Sequence, residues 1–303
     1  MASESKRLVI LALVANAGIA VTKFIAAAIS GSSAMLSEGI HSLADSGNQL
    51  FLLRGHAASR FDASVRHPYG RGKEMYFWSF MVAVFLFVGG SVISIISGFS
   101  KIRDPHGHGG EGFWLSMAVL AIAAMFEGFI AFRPALKEFN KLRAGRTFRK
   151  TITESKDPSL LVVLFEDSAA LVGLLIAAVG LTIARLTENA IWDGIASVLI
   201  GVLLAGVAWV LAVEMKSLLI GESATREERA KIRAAALSVA DARTVDRLLT
   251  MQLAPDEILV TMDIEFDEGI DGDRIEAAIV EIERHIVEAV PEATRIFIEP
   301  VDR

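Results

Sequence analysis

The chain has 303 residues, 53% of them hydrophobic, a formal net charge of −6 and no cysteine. Without cysteine there are no disulfides, iron–sulfur clusters or thiolate-bound zinc, so any metal must be held by His, Asp, Glu, backbone or water. The charge is unevenly divided: residues 222–303 hold 20 acidic and 10 basic side chains, residues 1–221 hold 16 and 20, and so acidic a tail excludes a nucleic-acid binder.

Apolar runs near 20 residues predict a membrane all-α six-helix bundle, because only a helix that satisfies its own backbone crosses lipid. The expected spans are Leu8 to Ile29, Ala34 to Ala57, Met75 to Gly98, Phe113 to Ala131, Ser159 to Leu181 and Ala190 to Val213. The first run is too long, and its cleavage context too poor, for a removed signal peptide. No mitochondrial targeting segment is evident, so a bacterial inner membrane is the expected location. Span one contains Asn16 and Lys23; Lys23, near a span end, is expected to snorkel. Span two is the least apolar, with Glu38, His41, Asp45, Asn48 and Gln49. It is kept as a span because polar residues in an apolar run mark function.

Basic residues orient the bundle. Arg54, Arg60, Arg66, Arg71 and Lys73 follow span two, and Arg133 to Lys156 carries eight more basic residues after span four. The alternate loops are poor in Lys and Arg, so both termini are expected in the cytoplasm. Arg133 to Pro158 is basic and amphipathic, and is expected to extend span four as a helix into the cytosol; the plainer reading is a solvated connector with anionic-lipid contacts. Residues 1–221 are thus read as the transport domain and 222–303 as a cytoplasmic α+β domain. In the latter, Thr225 to Val239 is helical, and Val245 to Leu253 and Ile258 to Phe266 alternate as half-buried strands about an Ala254-Pro255-Asp256-Glu257 turn. Asp271 to Val290 is a second helix and Thr294 to Ile298 a last strand, an αββαβ, ferredoxin-like order. So small a domain favours pairing with a second copy.

The chemistry concentrates in two spans. Glu38, His41, Asp45 and Asn48 fall at helical spacing on one face of span two, opposite Leu36, Ile40, Leu43, Leu50 and Phe51. His41 and Asp45, four apart, can converge on one ion. A polar stripe used only for packing explains Asn and Ser, but a buried ionisable pair needs a partner or a metal. Span five carries Glu166 and Asp167 in apolar sequence. Being adjacent, they point about 100° apart, so only one is expected to face a given site squarely. Asp167 precedes small residues that permit close helix approach. Glu166 is read either as a ligand or as a protonated hydrogen-bond donor between helices. Glu127 in span four is deep enough to pair with a polar group or relay protons, and Asp193 is expected to cap its own helix at the outer edge. His106 and His108 form a loop pair of weak metal-collecting potential, His67-Pro68-Tyr69-Gly70 makes a turn, and His285 is read as surface or interface.

These motifs, in this order, resemble the cation diffusion facilitator family of zinc transporters over nearly the whole chain. Ile40 to Gln49, Ser155-Lys156-Asp157-Pro158 and Glu166 to Ala170 are most similar to the branch containing the mitochondrial zinc transporter nine of animals. The resemblance implies a homodimeric proton/metal antiporter working by alternating access, with a tetrahedral site built from spans two and five. Carried over, the site holds His41, Asp45 and Asp167. The usual fourth ligand falls at Val163, which cannot bind metal, so Glu166, Glu38 or water supplies it, or the metal preference is altered. Arg71 stands where a further loop histidine is often found, and a tail with one histidine argues against the zinc cluster of many relatives. The tail is therefore expected to serve dimerisation.

The expected cargo is zinc, with manganese, iron(II) or cobalt as alternatives, exchanged for protons and exported from the cytosol, with no resident cofactor. Metal needs deprotonated carboxylates and a neutral imidazole, so protons compete with it directly. An intramembrane metalloenzyme would call for a three-ligand site with an open position. A cation channel and a non-transporting scaffold are the other rivals: single-channel currents mark the first, and tolerance of substitution at Asp45 and Asp167 the second.

Overall fold

The computed structural model describes residues 2–105, 112–143 and 145–301, and each expected span falls on a helix to within a residue. Helix α1 is Ala2–Ser30 and α2 is Ser33–Ser59. Helix α3, Glu74–Arg103, contains a π-helical turn at Leu86–Val92. Helix α4 runs from Phe113 through a π turn at Glu127–Phe132 to Arg143. After the short α5 (Phe148–Glu154) come α6 (Pro158–Thr187) and α7 (Ile191–Ile220). Among the described residues, α3, α4, α6 and α7 are long and apolar enough to cross a membrane, and α1 offers a shorter apolar stretch, Asn16–Ser30. Polar residues lower the hydropathy of α2. Large apolar side chains such as Ile25, Phe87, Ile96, Leu175, Val202 and Trp209 are exposed; water disfavours such a surface and lipid covers it.

Local chemistry sets the helix ends. Gly31, at φ 62°, makes the tight α1–α2 turn, a left-handed conformation cheap only for glycine. Asp157 caps α6, accepting from the backbone N–H of Ser159 at 2.9 Å, and Pro158 fills the first helical position, which needs no donor. The basic segment after span four is not one helix. It breaks after Arg143, Gly145 takes φ 85°, and Thr147 caps a new helix.

The chain divides into two compact units, residues 1–56 with 77–215, and residues 57–76 with 216–303. The first has a core of small and branched side chains, including Ala26, Met35, Leu86, Leu120, Leu174, Ile200 and Leu204. In the second, helix α8 (Arg226–Ala236) starts with a capping box between Thr225 and Glu228. Strands β1 (Ala242–Ala254) and β2 (Glu257–Phe266) pair antiparallel around the expected turn. Helix α9 (Gly272–Ala289) crosses to β3 (Ala293–Val301), which pairs parallel with β2. The observed order is αββαβ, with strands β1-β2-β3. Ile282 and Ile286 of α9 bury against Val260, Met262 and Ile264, while Ile275 and Ile279 are only partly buried. His285 lies against Ser238, its Nδ1 2.8 Å from the hydroxyl. The His67 turn is closed by two backbone hydrogen bonds between Ser64 and His67, each 3.0 Å. His106 and His108 lie outside the described residues.

Candidate metal-transport site

The polar face of α2 serves several neighbours. Gly39 and Gly47 let it sit close to aromatic rings: a Cβ at Gly39 would stand 3.1 Å from Phe24, and one at Gly47 would stand 2.9 Å from Phe85. Between these contacts, His41 is fully buried, its Nδ1 3.5 Å from Asp45 Oδ1, and neither ring nitrogen has a hydrogen-bond partner. A buried imidazole without partners is costly and is a common precursor of a ligand. One turn on, the Asn48 amide donates to Glu166 Oε1 at 2.5 Å, joining α2 to α6.

Asp45, Glu166 and Asp167 line one cavity of about 120 Å³ together with Asn16, Ser42, Gln49, Glu127 and Val163. Glu166 and Asp167, about 100° apart on the helix, both line this cavity. Asp167 Oδ2 and Asp45 Oδ1 are buried without hydrogen-bond partners. Val163 occupies the wall one turn before Asp167, and nothing there can ligate. Among the described residues, no three His, Asp or Glu side chains are gathered tightly enough to hold a metal ion as they stand. The donors are assembled around a space rather than closed on a point, and carboxylate oxygens surrounding it would attract a divalent cation.

Neither His41 nor Glu38, the remaining ligand candidate, lines that cavity; His41 reaches it only through its neighbour Asp45. The carboxylate of Glu38 is engaged elsewhere. Its Oε2 accepts from Lys23 Nζ at 3.1 Å, and a Cβ at Gly173 would stand 2.5 Å from its Oε1. Glycine at 173 is what admits this carboxylate beside α6. Lys23 does not snorkel. It is fully buried and bonds Glu38, Ser42 and Glu127, partners on α2 and α4 that offset part of the cost of desolvating it. Asp193 does cap a helix, but not its own. It accepts from the Ser33 N–H at 2.6 Å and the Ala34 N–H at 3.3 Å, capping α2, and from the Ser32 hydroxyl at 2.5 Å. His56, which the sequence reading passed over, lies 3.3 Å from the Ser159 hydroxyl and links the end of α2 to the start of α6. Its place one residue inside the span boundary was the available signal.

Comparison with known proteins identifies two domains in the chain. The cation efflux transmembrane domain matches residues 9–220, and the cation efflux protein cytoplasmic domain matches residues 224–300. Metal tolerance protein C4 of Arabidopsis thaliana is 34% identical over 231 residues, covering 76% of this chain and 50% of that protein. The mitochondrial proton-coupled zinc antiporter SLC30A9 of Mus musculus is 30% identical over 266 residues, covering 86% of this chain and 46% of its own length. The magnetosome protein MamM of Paramagnetospirillum magneticum is 33% identical over 100 residues, 31% of either chain. The chain thus spans about half the length of the first two relatives. With two domain matches in the family's order and apolar helices throughout the first, the chain belongs to the cation efflux (cation diffusion facilitator) family of multi-pass membrane transporters.

Proposed function

We propose that the protein is a six-span, proton-coupled antiporter that exports divalent transition-metal ions, zinc foremost, from the cytosol. The observation that carries this reading is the gathering of Asp45, Glu166 and Asp167 around one cavity, with the buried imidazole of His41 behind Asp45 rather than in the cavity wall. His41, Asp45 and Asp167 bind the cargo, and Glu166 lines the same cavity with its Oε1 already accepting from Asn48. Glu38 is a poorer donor because it does not line that cavity. Metal and protons compete for the same atoms, so a proton arriving from the far side weakens the site as metal leaves. The name of the murine relative, a proton-coupled zinc antiporter, is consistent with this chemistry. The distribution of Lys and Arg supports two cytoplasmic termini, and the match to the cytoplasmic domain supports a homodimer.

A carboxylate-rich cavity with Val163 in its wall is also harder than a histidine-rich one. That favours manganese, iron(II) or cobalt as second cargoes. Flux into proteoliposomes under an imposed proton gradient tests both readings. Wild type is expected to carry zinc when driven by the gradient. Asp45→Ala is expected to lose about tenfold or more, since even an outer-shell partner commonly costs that much. Equal flux in the two proteins rules the site out. No zinc flux with robust manganese flux replaces the cargo and keeps the site.

A further inference from the structure

Lys23 has none of its side chain exposed. Its ammonium is shared by Ser42 Oγ at 2.8 Å, Glu38 Oε2 at 3.1 Å and Glu127 Oε1 at 3.2 Å. An ammonium without partners is expelled from such a place, so the two carboxylates are what hold it. Two carboxylates around one ammonium leave a formal charge of −1 at the cluster, available to a further cation.

Glu127 is the partner positioned to use that charge. It lines the same cavity as Asp45, Glu166 and Asp167. Its Oε2 is buried and makes no hydrogen bond. The backbone at Glu127 is also unusual, because the π turn Glu127–Phe132 begins there. Such turns insert a residue into an α-helix and re-aim its side chains, and they recur at functional sites. Val163, in the lining of the same cavity, fills the position where the family's fourth donor is expected.

We propose that Glu127 is a metal-facing donor of the transport cavity, reaching in from α4, and that it replaces the donor missing at Val163. Lys23 is then a positioning residue: it holds one oxygen of Glu127 and leaves the other to the cavity. The site draws on three helices, α2, α4 and α6, instead of two. This inference rests on the reading of the cavity as the transport site.

The test is zinc titration calorimetry on the full chain in detergent, paired with proteoliposome flux. Glu127→Gln preserves size and an acceptor for Lys23. It is expected to weaken zinc binding about tenfold in the wild-type background. In a Val163→Asp background (or Val163→His, should the aspartate variant not fold) the same change is expected to cost less than about twofold, since a restored ligand makes Glu127 dispensable. An equal cost in both backgrounds, or no cost in wild type, overturns the proposal. Should Glu127→Gln prove unstable, Lys23→Met/Glu38→Gln/Glu127→Gln removes the ammonium together with both of its carboxylate partners. It must show the same loss and the same rescue, whereas a merely structural glutamate gives no rescue. Asp45→Ala, run alongside, separates the two levels. Retained zinc binding there overturns the site itself. Loss there, with Glu127→Gln unaffected, overturns only the role of Glu127.

Discussion

At Asp193 one carboxylate fixes the start of another helix. It satisfies the free N–H groups of Ser33 and Ala34 and the hydroxyls of Ser32 and Ser33, all near the first turn of α2. Its charge also complements the positive end of the α2 dipole. Asp193→Ala leaves those donors buried and unsatisfied, a loss on the order of 1–3 kcal/mol. Thermal unfolding in detergent is expected to show a lowered midpoint for Asp193→Ala and a smaller drop for Asp193→Asn, which keeps an acceptor. An unchanged midpoint for the alanine variant means that α2 needs no such cap. Asp193 and Lys23 share a reason for being misread from sequence. Their partners lie about 160 residues away in one case, and 15 and 104 in the other, and no local pattern reports a pairing across helices. His41 and Asp45 were legible because four-residue spacing on one helix places them together without help from the rest of the fold.

Helices α3 and α7 meet through glycines. A Cβ on Gly98 would stand 2.6 Å from the Gly194 carbonyl oxygen, and one on Gly194 would stand 2.9 Å from that of Gly98. Farther along, a Cβ on Gly201 would stand 2.9 Å from the Ser91 carbonyl oxygen. Backbone cannot swing aside as a side-chain tip can, so these residues set how closely the helices approach. Between them the Ser197 hydroxyl donates to the Ser94 carbonyl at 2.8 Å. Gly98→Val is expected to push the helices apart at a cost of about 1–3 kcal/mol. Gly206→Ala lies on the same α7 with nothing within 4 Å of its Cβ; it is expected to be neutral or slightly stabilising, as alanine favours helix. Equal melting temperatures for the two variants would show that the crossing tolerates separation. Hydropathy located both helices but not this seam, because it measures compatibility with lipid, whereas helix–helix fit is set by side-chain size. The break in the basic segment escaped for a related reason: amphipathic charge continues past Gly145, but the backbone does not.

For the whole molecule the open question is what a second copy would dock against. In the αββαβ unit, α8 and α9 cover one face of the sheet. On the other face Leu249, Thr261 and Phe297 stand in register across β1, β2 and β3. Leu249 is 56% and Phe297 52% exposed. Beside this row runs a polar one, Arg247, Asp263 and Glu299, in which Arg247 and Asp263 pair at 3.0 Å. An apolar centre with a charged margin is the usual anatomy of a protein interface, and a small domain gains most from burying it. Alternation of apolar and polar residues made the strands legible in the sequence. The exposed row was not, since its members come from three strands far apart in the chain and only the register unites them. If the homodimer closes over this face, Leu249→Glu/Phe297→Glu in the full chain should shift the protein mass measured by light scattering from dimer toward monomer. Val280→Glu/Val287→Glu, on the exposed side of α9, should leave it dimeric. The reverse result moves the interface from the sheet to the helix. A dimer that survives both pairs of substitutions takes its stability from residues 1–221, and the cytoplasmic unit then contributes little to holding the two copies together.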